Sequence, residues 1–402
     1  MRSTPANDGR GRGLRARRHG LIAVAASAVT VAALSACGSS SSPSAAAAAG
    51  ASAASTQAAA SSGTQSAGVA TAEAKMKEFL APPSQINITT ALKSPAPSGK
   101  KVIFVGTSEP SNVQAQDAVG QAARAIGWSY SEISYDPANP ATLLAAFQSA
   151  LAKRPNYVVE AGVPTTLIPS STIAQFQQAG VKLAITASYP STLTSTIIAG
   201  TDGYANDAQM GRELAYYFVA NSGGKGDALI EHVPAYSILD AFTGTFTATV
   251  KSLCPSCTYQ FVDVTLPQLA AGQTTSLVVS ALRRAPAVNY LVFDDGDFAD
   301  GITSALSAAG LSSVKVIGQA ADTQGLAGLR AGTQAAWTGY SATYAGYETV
   351  DAMIRDAEGM PADPSDAIQP TQLLTPSTVG STTTWDLPSN ALAQFLKLWG
   401  RS

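Results

Sequence analysis

Short apolar runs alternate with amphipathic stretches along the chain from residue 101 onward. The runs are rich in β-branched residues, which is typical of buried strands, and the stretches between them repeat apolar residues at helical spacing. Strands are predicted at 102–106, 130–135, 157–160, 182–186, 196–199, 227–232, 259–264, 289–293, 314–318 and 335–340, and helices at 112–127, 141–153, 170–179, 204–221, 237–253, 273–284, 298–309, 323–331 and 342–358. Regular alternation of this kind predicts an α/β protein with parallel sheets covered by helices on both faces.

The number of strands favours two doubly wound lobes over one large sheet. The joint Gln178-Ala179-Gly180 before an apolar strand is repeated by Ala308-Ala309-Gly310 before another, with the glycine placed to end the helix. We therefore expect the chain to divide near Gly200 to Gly203. The predicted parts are a first lobe over 72–202, to which 341–360 returns, and a second lobe over 203–340 that includes part of 361–402.

The first 36 residues have the pattern of an export signal. Five arginines between Arg10 and Arg18 precede an apolar run of 14 residues from Leu21 to Leu34, which is too short for an ordinary transmembrane helix. Leu34-Ser35-Ala36-Cys37 resembles the bacterial lipobox, whose cysteine accepts diacylglycerol. We predict a lipoprotein signal peptide over 1–36, a lipid anchor at Cys37 and an extracytoplasmic location.

The residues between the anchor and the first lobe are almost all Ala, Ser, Gly, Thr and Gln. Such a sequence buries too little apolar surface to fold, so 37–71 is predicted to be a disordered linker.

Composition removes several classes of function. Residues 1–36 hold six Arg and one Asp, so their removal changes the formal charge from −2 to −7, which gives no indication of nucleic-acid binding. His19 and His232 are the only histidines, so multi-histidine metal sites are excluded, and we predict neither a metal nor a cofactor. Cys254-Pro255-Ser256-Cys257 has the spacing of a redox motif, but in an exported protein a structural disulfide is the better interpretation.

An ordered set of short motifs runs through about residues 72–360. It consists of Ala81-Pro82-Pro83, Lys100-Lys101-Val102-Ile103-Phe104-Val105, Thr201-Asp202-Gly203-Tyr204 with Gly211, Phe293-Asp294-Asp295-Gly296-Asp297-Phe298-Ala299-Asp300-Gly301 and Val314-Lys315-Val316-Ile317-Gly318. Together with the lipobox, this set resembles the type I periplasmic-binding-protein superfamily, in particular the sugar-type solute-binding lipoproteins of ABC importers. The resemblance implies two lobes joined by three hinge crossings, with a ligand bound between them and a membrane permease as partner.

Polar side chains that follow the predicted strands are the candidates for ligand binding, because open α/β sheets bind ligands at the carboxyl ends of their strands. They include few cations and many oxygen acceptors, which suits a neutral or cationic solute and disfavours an anion. There is a structural alternative for several of them. Each tyrosine could simply pack on a lobe surface, and Asp294-Asp295 could cap a helix. The predicted ligand-binding residues are Thr107, Ser108, Glu109, Asn112, Glu160, Ser188, Tyr189, Tyr236, Asp294, Asp295, Gln319, Asp322, Tyr340 and Ser341; Asp202, His232 and Asp263 lie in comparable positions.

We therefore expect a monomeric, membrane-anchored receptor that closes around a small polar solute, a sugar or polyol, and presents it to an ABC permease. A ligand-sensing module for a membrane signalling partner would share the same residues. An exported hydrolase that uses His232 or a carboxylate pair is the third alternative, although no nucleophile is identifiable in the sequence.

Overall fold

The described part of the chain is built on two separate sheets. The computed structural model describes residues 67–361 and 368–401, so the predicted signal peptide and Cys37 lie outside the described residues. The chain enters through a helix over 67–77, here α1.

The first sheet is entirely parallel and has the strand order β2-β1-β3-β4-β5. Its central strands are buried on both faces, as the continuous apolar run Val102–Val105 predicts. The elements of this first lobe are β1 (Lys101–Gly106), α2 (Pro110–Ala125), β2 (Ser129–Ser134), α3 (Pro140–Ala152), β3 (Tyr157–Ala161), α4 (Ser170–Ala179), β4 (Lys182–Thr186) and β5 (Ile197–Thr201), with a 3-10 turn at Thr165–Leu167.

The second sheet has the order β11-β10-β9-β8-β6-β7 and is parallel except where β11 pairs with β10. Its elements are α5 (Tyr204–Asn221), β6 (Asp227–His232), α6 (Leu239–Leu253), β7 (Thr258–Asp263), α7 (Leu266–Ala270), α8 (Thr274–Arg284), β8 (Tyr290–Phe293), α9 (Ile302–Ala308), β9 (Lys315–Gly318), α10 (Thr323–Ala331), β10 (Ala336–Gly339) and β11 (Gln372–Leu374), with a 3-10 turn at Gly296–Phe298. The predicted α/β class with two mostly parallel sheets is confirmed.

Two further helices belong to the first lobe although they follow the second in sequence. The helix α11 (Ala342–Ala357) packs against α2, and α12 (Ala391–Leu398) adds Phe395 and, just beyond its end, Trp399 to the same core. The chain therefore passes between the lobes from β5 to α5, from β10 to α11 and from α11 to β11. It also passes between them in the segment after α1 and in the segment before α12.

The N-terminal part of the domain differs from the prediction. Residues 67–71, predicted as linker, are helical. Ala72, predicted to open the first lobe, is fully buried in the second lobe beside Leu214 and Phe246. The physical reason is close packing on α6, since a Cβ atom built on Gly68 would lie 1.9 Å from the carbonyl oxygen of Leu253.

The chain then crosses to the first lobe through a short segment that is fixed by a hydrogen bond at each end. Leu373 of β11 donates its N–H to the carbonyl of Phe79 at 2.8 Å, which holds the start of the segment on the second lobe. The N–H of Asn87 donates to Tyr344 Oη at 3.1 Å, which holds its end on α11 of the first lobe.

Candidate functional site

A cavity of about 460 Å³ lies between the lobes, at the carboxyl ends of strands from both sheets. This volume falls within the roughly 300–1,000 Å³ of ordinary small-molecule pockets. Two residues that line the cleft each carry a buried side-chain oxygen with no hydrogen-bond partner in the part of the chain that the structure describes. They are Thr186 (Oγ1) of the first lobe and Gln319 (Oε1) of the second, each 1% exposed. A buried polar atom without a partner costs free energy, so both residues are candidates for hydrogen bonds to a bound ligand.

The structure brings half of the predicted ligand-binding residues together in this cleft. They come from the loops that follow β1, β6, β8, β9 and β10, as the strand-end rule predicts. The predicted residues that line the cleft are Thr107, Glu109, Asn112, Tyr236, Asp295, Gln319 and Tyr340.

Three of the predicted residues are buried outside the cleft lining. Glu160 lies inside β3, not after it, and accepts hydrogen bonds from Tyr135 Oη at 3.2 Å and from the N–H of Val163 at 3.3 Å. Asp294 accepts the N–H of Val233 at 2.9 Å and so joins the ends of β8 and β6. Ser188 is 1% exposed and is likewise absent from the lining.

The other four predicted residues are also absent from the cleft lining. Asp322 and Ser341 are the N-caps of α10 and α11, where each side chain accepts a backbone N–H. Ser108 is exposed, and Tyr189 is 42% exposed with its ring 5.0 Å from that of Tyr204. Strand ends also supply helix caps and surface turns, and these four residues occupy such positions.

Five carboxylates line the cleft, and no Lys, Arg or His is among the described lining residues. Asp202 accepts hydrogen bonds from Tyr340 Oη at 2.6 Å and from Asn206 Nδ2 at 2.7 Å. Asp207 accepts Gln319 Nε2 at 3.1 Å. The side chains of Glu109, Asp295 and Asp297 complete the set.

Burial raises the pKa of four of these carboxyl groups. It raises the pKa of Asp202 to about 6, against the opposing hydrogen bonds from Tyr340 and Asn206. For Asp207 and Asp295 burial raises the pKa well above the ordinary value, and repulsion from Asp202 and Asp297 respectively adds to it. Burial also raises the pKa of Asp297, opposed by its hydrogen bonds from Ser111. A protonated carboxyl group donates as well as accepts, so this set suits neutral hydroxyl groups or a cation and repels an anion.

Direct contacts join the lobes at the mouth of the cleft. Tyr236 Oη of the second lobe donates to Glu109 Oε1 of the first at 3.2 Å, and the N–H of Ser111 donates to Asp297 Oδ2 at 3.3 Å. Ser237 Oγ also donates to the carbonyl of Tyr189. The described conformation therefore has its lobes touching across the cleft.

Several lining residues were not predicted from the sequence. Asp207 lies within α5, where a single helical aspartate is indistinguishable from a solvated one, and Asp297 lies in a 3-10 turn. The largest omission is a set of apolar side chains that sequence periodicity assigns to helix faces or loops. It comprises Leu143, Leu144, Val163, Leu167, Ile238, Leu239, Leu266 and Phe298.

The remaining candidate chemistry lies elsewhere. His232 pairs with Asp240 at 2.9 Å and with Asp263 at 3.4 Å, and it does not line the cleft. Cys254 and Cys257 are joined by a disulfide. Within 67–361 and 368–401 no cluster of His, Cys, Asp and Glu is suited to a metal ion. In the same ranges, no helix combines the length and the apolar character needed to cross a bilayer.

Two α/β lobes with a cleft between the carboxyl ends of their strands have the architecture of a two-lobed solute-binding protein. The chain belongs to the periplasmic binding protein domain family. The sequence profile of that family matches residues 96–360, which is well over half of the chain. The resemblance to the type I fold is therefore confirmed. No curated protein sequence matches the chain significantly.

Solved structures share the fold at low sequence identity. A sugar ABC transporter protein from Yersinia enterocolitica matches with a TM-score of 0.62 and 13% identity, over 78% of this chain and 99% of its own. A solute-binding protein from Burkholderia graminis in complex with D-arabinose matches with a TM-score of 0.61 and 16% identity, over 72% of this chain and 99% of its own. A solute-binding protein from Agrobacterium vitis with bound allitol matches with a TM-score of 0.58 and 18% identity, over 70% of this chain and 97% of its own.

Proposed function

We propose that this chain is an extracytoplasmic, lipid-anchored solute-binding protein of a bacterium. It captures a small polar solute, a sugar or polyol, by hinge closure and presents it to the membrane permease of an ABC importer. It acts as a monomer, with Cys37 as the lipidated residue. The proposal includes no catalytic step, because His232, the candidate base, pairs with two aspartates outside the cleft.

The observation that carries the proposal is the pair of unpartnered buried oxygens, one from each lobe. Thr186 Oγ1 and Gln319 Oε1 belong to different lobes, and both residues line the same cavity. A polyol presents several hydroxyl groups, so one molecule can satisfy both atoms and link the lobes. Contacts that exist only when both lobes reach the ligand shift the population toward the closed form.

Two considerations favour a neutral hydroxylated solute. The cleft-lining carboxylates exclude anions, and carboxyl groups with raised pKa values can both donate to and accept from hydroxyl groups. The fold neighbours whose ligands are known include proteins with bound D-arabinose and allitol, an aldose and a polyol. At their low identity these neighbours indicate which compounds to test first.

A thermal-shift screen tests the proposal. D-arabinose, D-ribose, D-xylose, D-glucose, D-galactose and allitol are added to the purified chain at millimolar concentration. We expect at least one of them to raise the melting temperature by several degrees, because a ligand that binds only the folded state stabilises it, by about 2.7 kcal/mol at a hundred times its Kd. A set of flat melting curves would count against a sugar-binding function.

The two variants Thr186→Val and Asp295→Asn locate the site. Each removes one polar or charged group while preserving shape, and Asn retains the acceptor that receives the N–H of Asp297. We expect each to weaken binding of the stabilising sugar roughly tenfold, which corresponds to about 1.4 kcal/mol, while the ligand-free melting temperature stays within a few degrees. Asp300→Asn, an exposed aspartate outside the lining, is the control. Wild-type affinity in both variants would remove these residues from the site.

A further inference from the structure

The cleft has an apolar half that a free monosaccharide does not need. Leu144, Val163 and Leu167 of the first lobe face the same cavity as Ile238, Leu239 and Leu266 of the second. In the sequence these residues belong to the segments that follow β2, β3, β6 and β7. The carboxylates described above account for only part of the lining.

Sheet order separates the two halves. In the first sheet β5 and β2 are opposite edges, and in the second sheet β10 lies near one edge while β7 forms the other. Asp202 follows β5, Tyr340 follows β10, and the two side chains are hydrogen-bonded at 2.6 Å, so these edges meet at the hinge. Leu144 in the helix after β2 and Leu266 after β7 lie at the opposite edges. Because adjacent strands are about 4.8 Å apart, the cleft runs from the hinge, where Asp202 and Tyr340 meet, to an open edge. At the open edge Leu144 and Leu266 adjoin the hydrogen-bonded pair Glu109 and Tyr236.

One apolar side chain of the lining is unusually exposed for its size. Leu167 is 67% exposed although it lines the cavity, and Leu144, also partly exposed, belongs to none of the hydrophobic clusters of the lobe cores. Their apolar surface therefore contributes little to folding. A ligand that covers it gains the free energy of apolar burial.

We infer that the ligand is a glycoside or another sugar derivative with an apolar substituent, and not a free monosaccharide. This inference rests on the proposed function. The sugar head lies at the hinge end beside Thr186, Asp295 and Gln319. The substituent lies against the apolar lining residues Leu144 and Leu167 of one lobe and Leu266 of the other.

Calorimetric titration of the purified chain tests the inference. Each monosaccharide of the screen is compared as the free sugar, the methyl glycoside and the phenyl glycoside. For the sugar head that binds, we expect the phenyl glycoside to bind at least about tenfold more tightly than the methyl glycoside, because the ring buries on the order of 100 Å² of apolar surface.

Two cleft variants and one matched control assign the effect to the apolar half. Leu144→Ser and Leu167→Ser are each expected to weaken phenyl glycoside binding roughly fivefold or more and to leave methyl glycoside binding unchanged. Leu193→Ser is the control, because Leu193 is 54% exposed and does not line the cavity. A phenyl preference that both cleft variants retain in full would overturn the inference.

The remaining outcomes separate this inference from the proposed function. If the free sugar or its methyl glycoside binds as tightly as the phenyl glycoside, the inference is overturned and the proposed function stands. If no sugar and no glycoside binds, the proposed function is overturned and the inference falls with it.

Discussion

The position of Glu160 in the sequence predicted its place near a strand end but not its burial. Its position at the end of an apolar run suggested a cleft residue, but β3 continues to Ala161 and encloses it. It is fully buried, and burial raises its pKa to about 8, against the hydrogen bonds from Val163 and Tyr135. The group therefore binds its proton more tightly in the folded state than in the unfolded state, where its pKa is near the ordinary 4.5.

The sign of the resulting pH dependence follows from linkage. A carboxyl group with a raised pKa favours folding below its ordinary pKa, and this contribution is lost as the pH rises toward 8. We expect Glu160→Gln to be more stable relative to the wild type at pH 8 than at pH 5, by about 1–3 kcal/mol, since one pKa unit corresponds to about 1.4 kcal/mol. Urea denaturation at both pH values measures the difference. The exposed Glu73→Gln serves as control, and a difference independent of pH for Glu160→Gln would contradict the assignment.

At the scale of elements, the periodicity of the chain predicted the strands and helices that alternate between 101 and 357. It predicted neither β11, which has three residues, nor α7, which has five, because such short segments show no period. The predicted helix over 298–309 is divided into a 3-10 turn and α9. Packing between helices was also not predictable, and the pair α5 and α6 shows why.

Two glycines in this pair have opposite roles. A Cβ atom on Gly211 of α5 would lie 2.5 Å from the carbonyl oxygen of Phe242, whereas one on Gly244 of α6 would meet no atom within 4 Å. We expect Gly211→Ala to lower the free energy of unfolding by about 1–3 kcal/mol through overpacking. Gly244→Ala should raise it by up to about 1 kcal/mol through helix propensity.

Chemical denaturation of both variants measures these changes. Because the substitution is identical and both glycines are helical, the difference between the variants reports the packing of α5 on α6 alone. Equal effects of the same sign would show that the two helices are not in this close contact.

At the scale of the whole molecule, the lobes are linked by more chain than the three predicted crossings. The helix α1 packs on the second lobe, and the following segment continues into the first. At the other end of the chain, α12 returns to the first lobe after β11 has joined the second sheet. Both termini of the domain therefore take part in connecting the lobes.

Two alanines of α1 that are separated by one residue test its place on the second lobe. Ala72 is fully buried and Ala74 is exposed. We expect Ala72→Glu to lower the free energy of unfolding by about 3 kcal/mol or more, because it places an unpaired charge against a packed core. Ala74→Glu should change it by less than about 0.5 kcal/mol. Thermal or urea denaturation compares them, and near-wild-type stability of Ala72→Glu would mean that α1 is not docked.

The sequence by itself determined the alternation of strands and helices, the division into two lobes and the acidic bias of the strand ends. These properties are local, because periodicity, glycine caps and strand-end residues depend on neighbours in the chain. Only the tertiary structure decided that Glu109, Asp207 and Gln319 share one cavity while Glu160 and Asp294 are enclosed beside it. It also decided that an apolar half adjoins the carboxylates. Such groupings depend on which strand edges meet and how the lobes approach, and these are long-range contacts that no local pattern encodes.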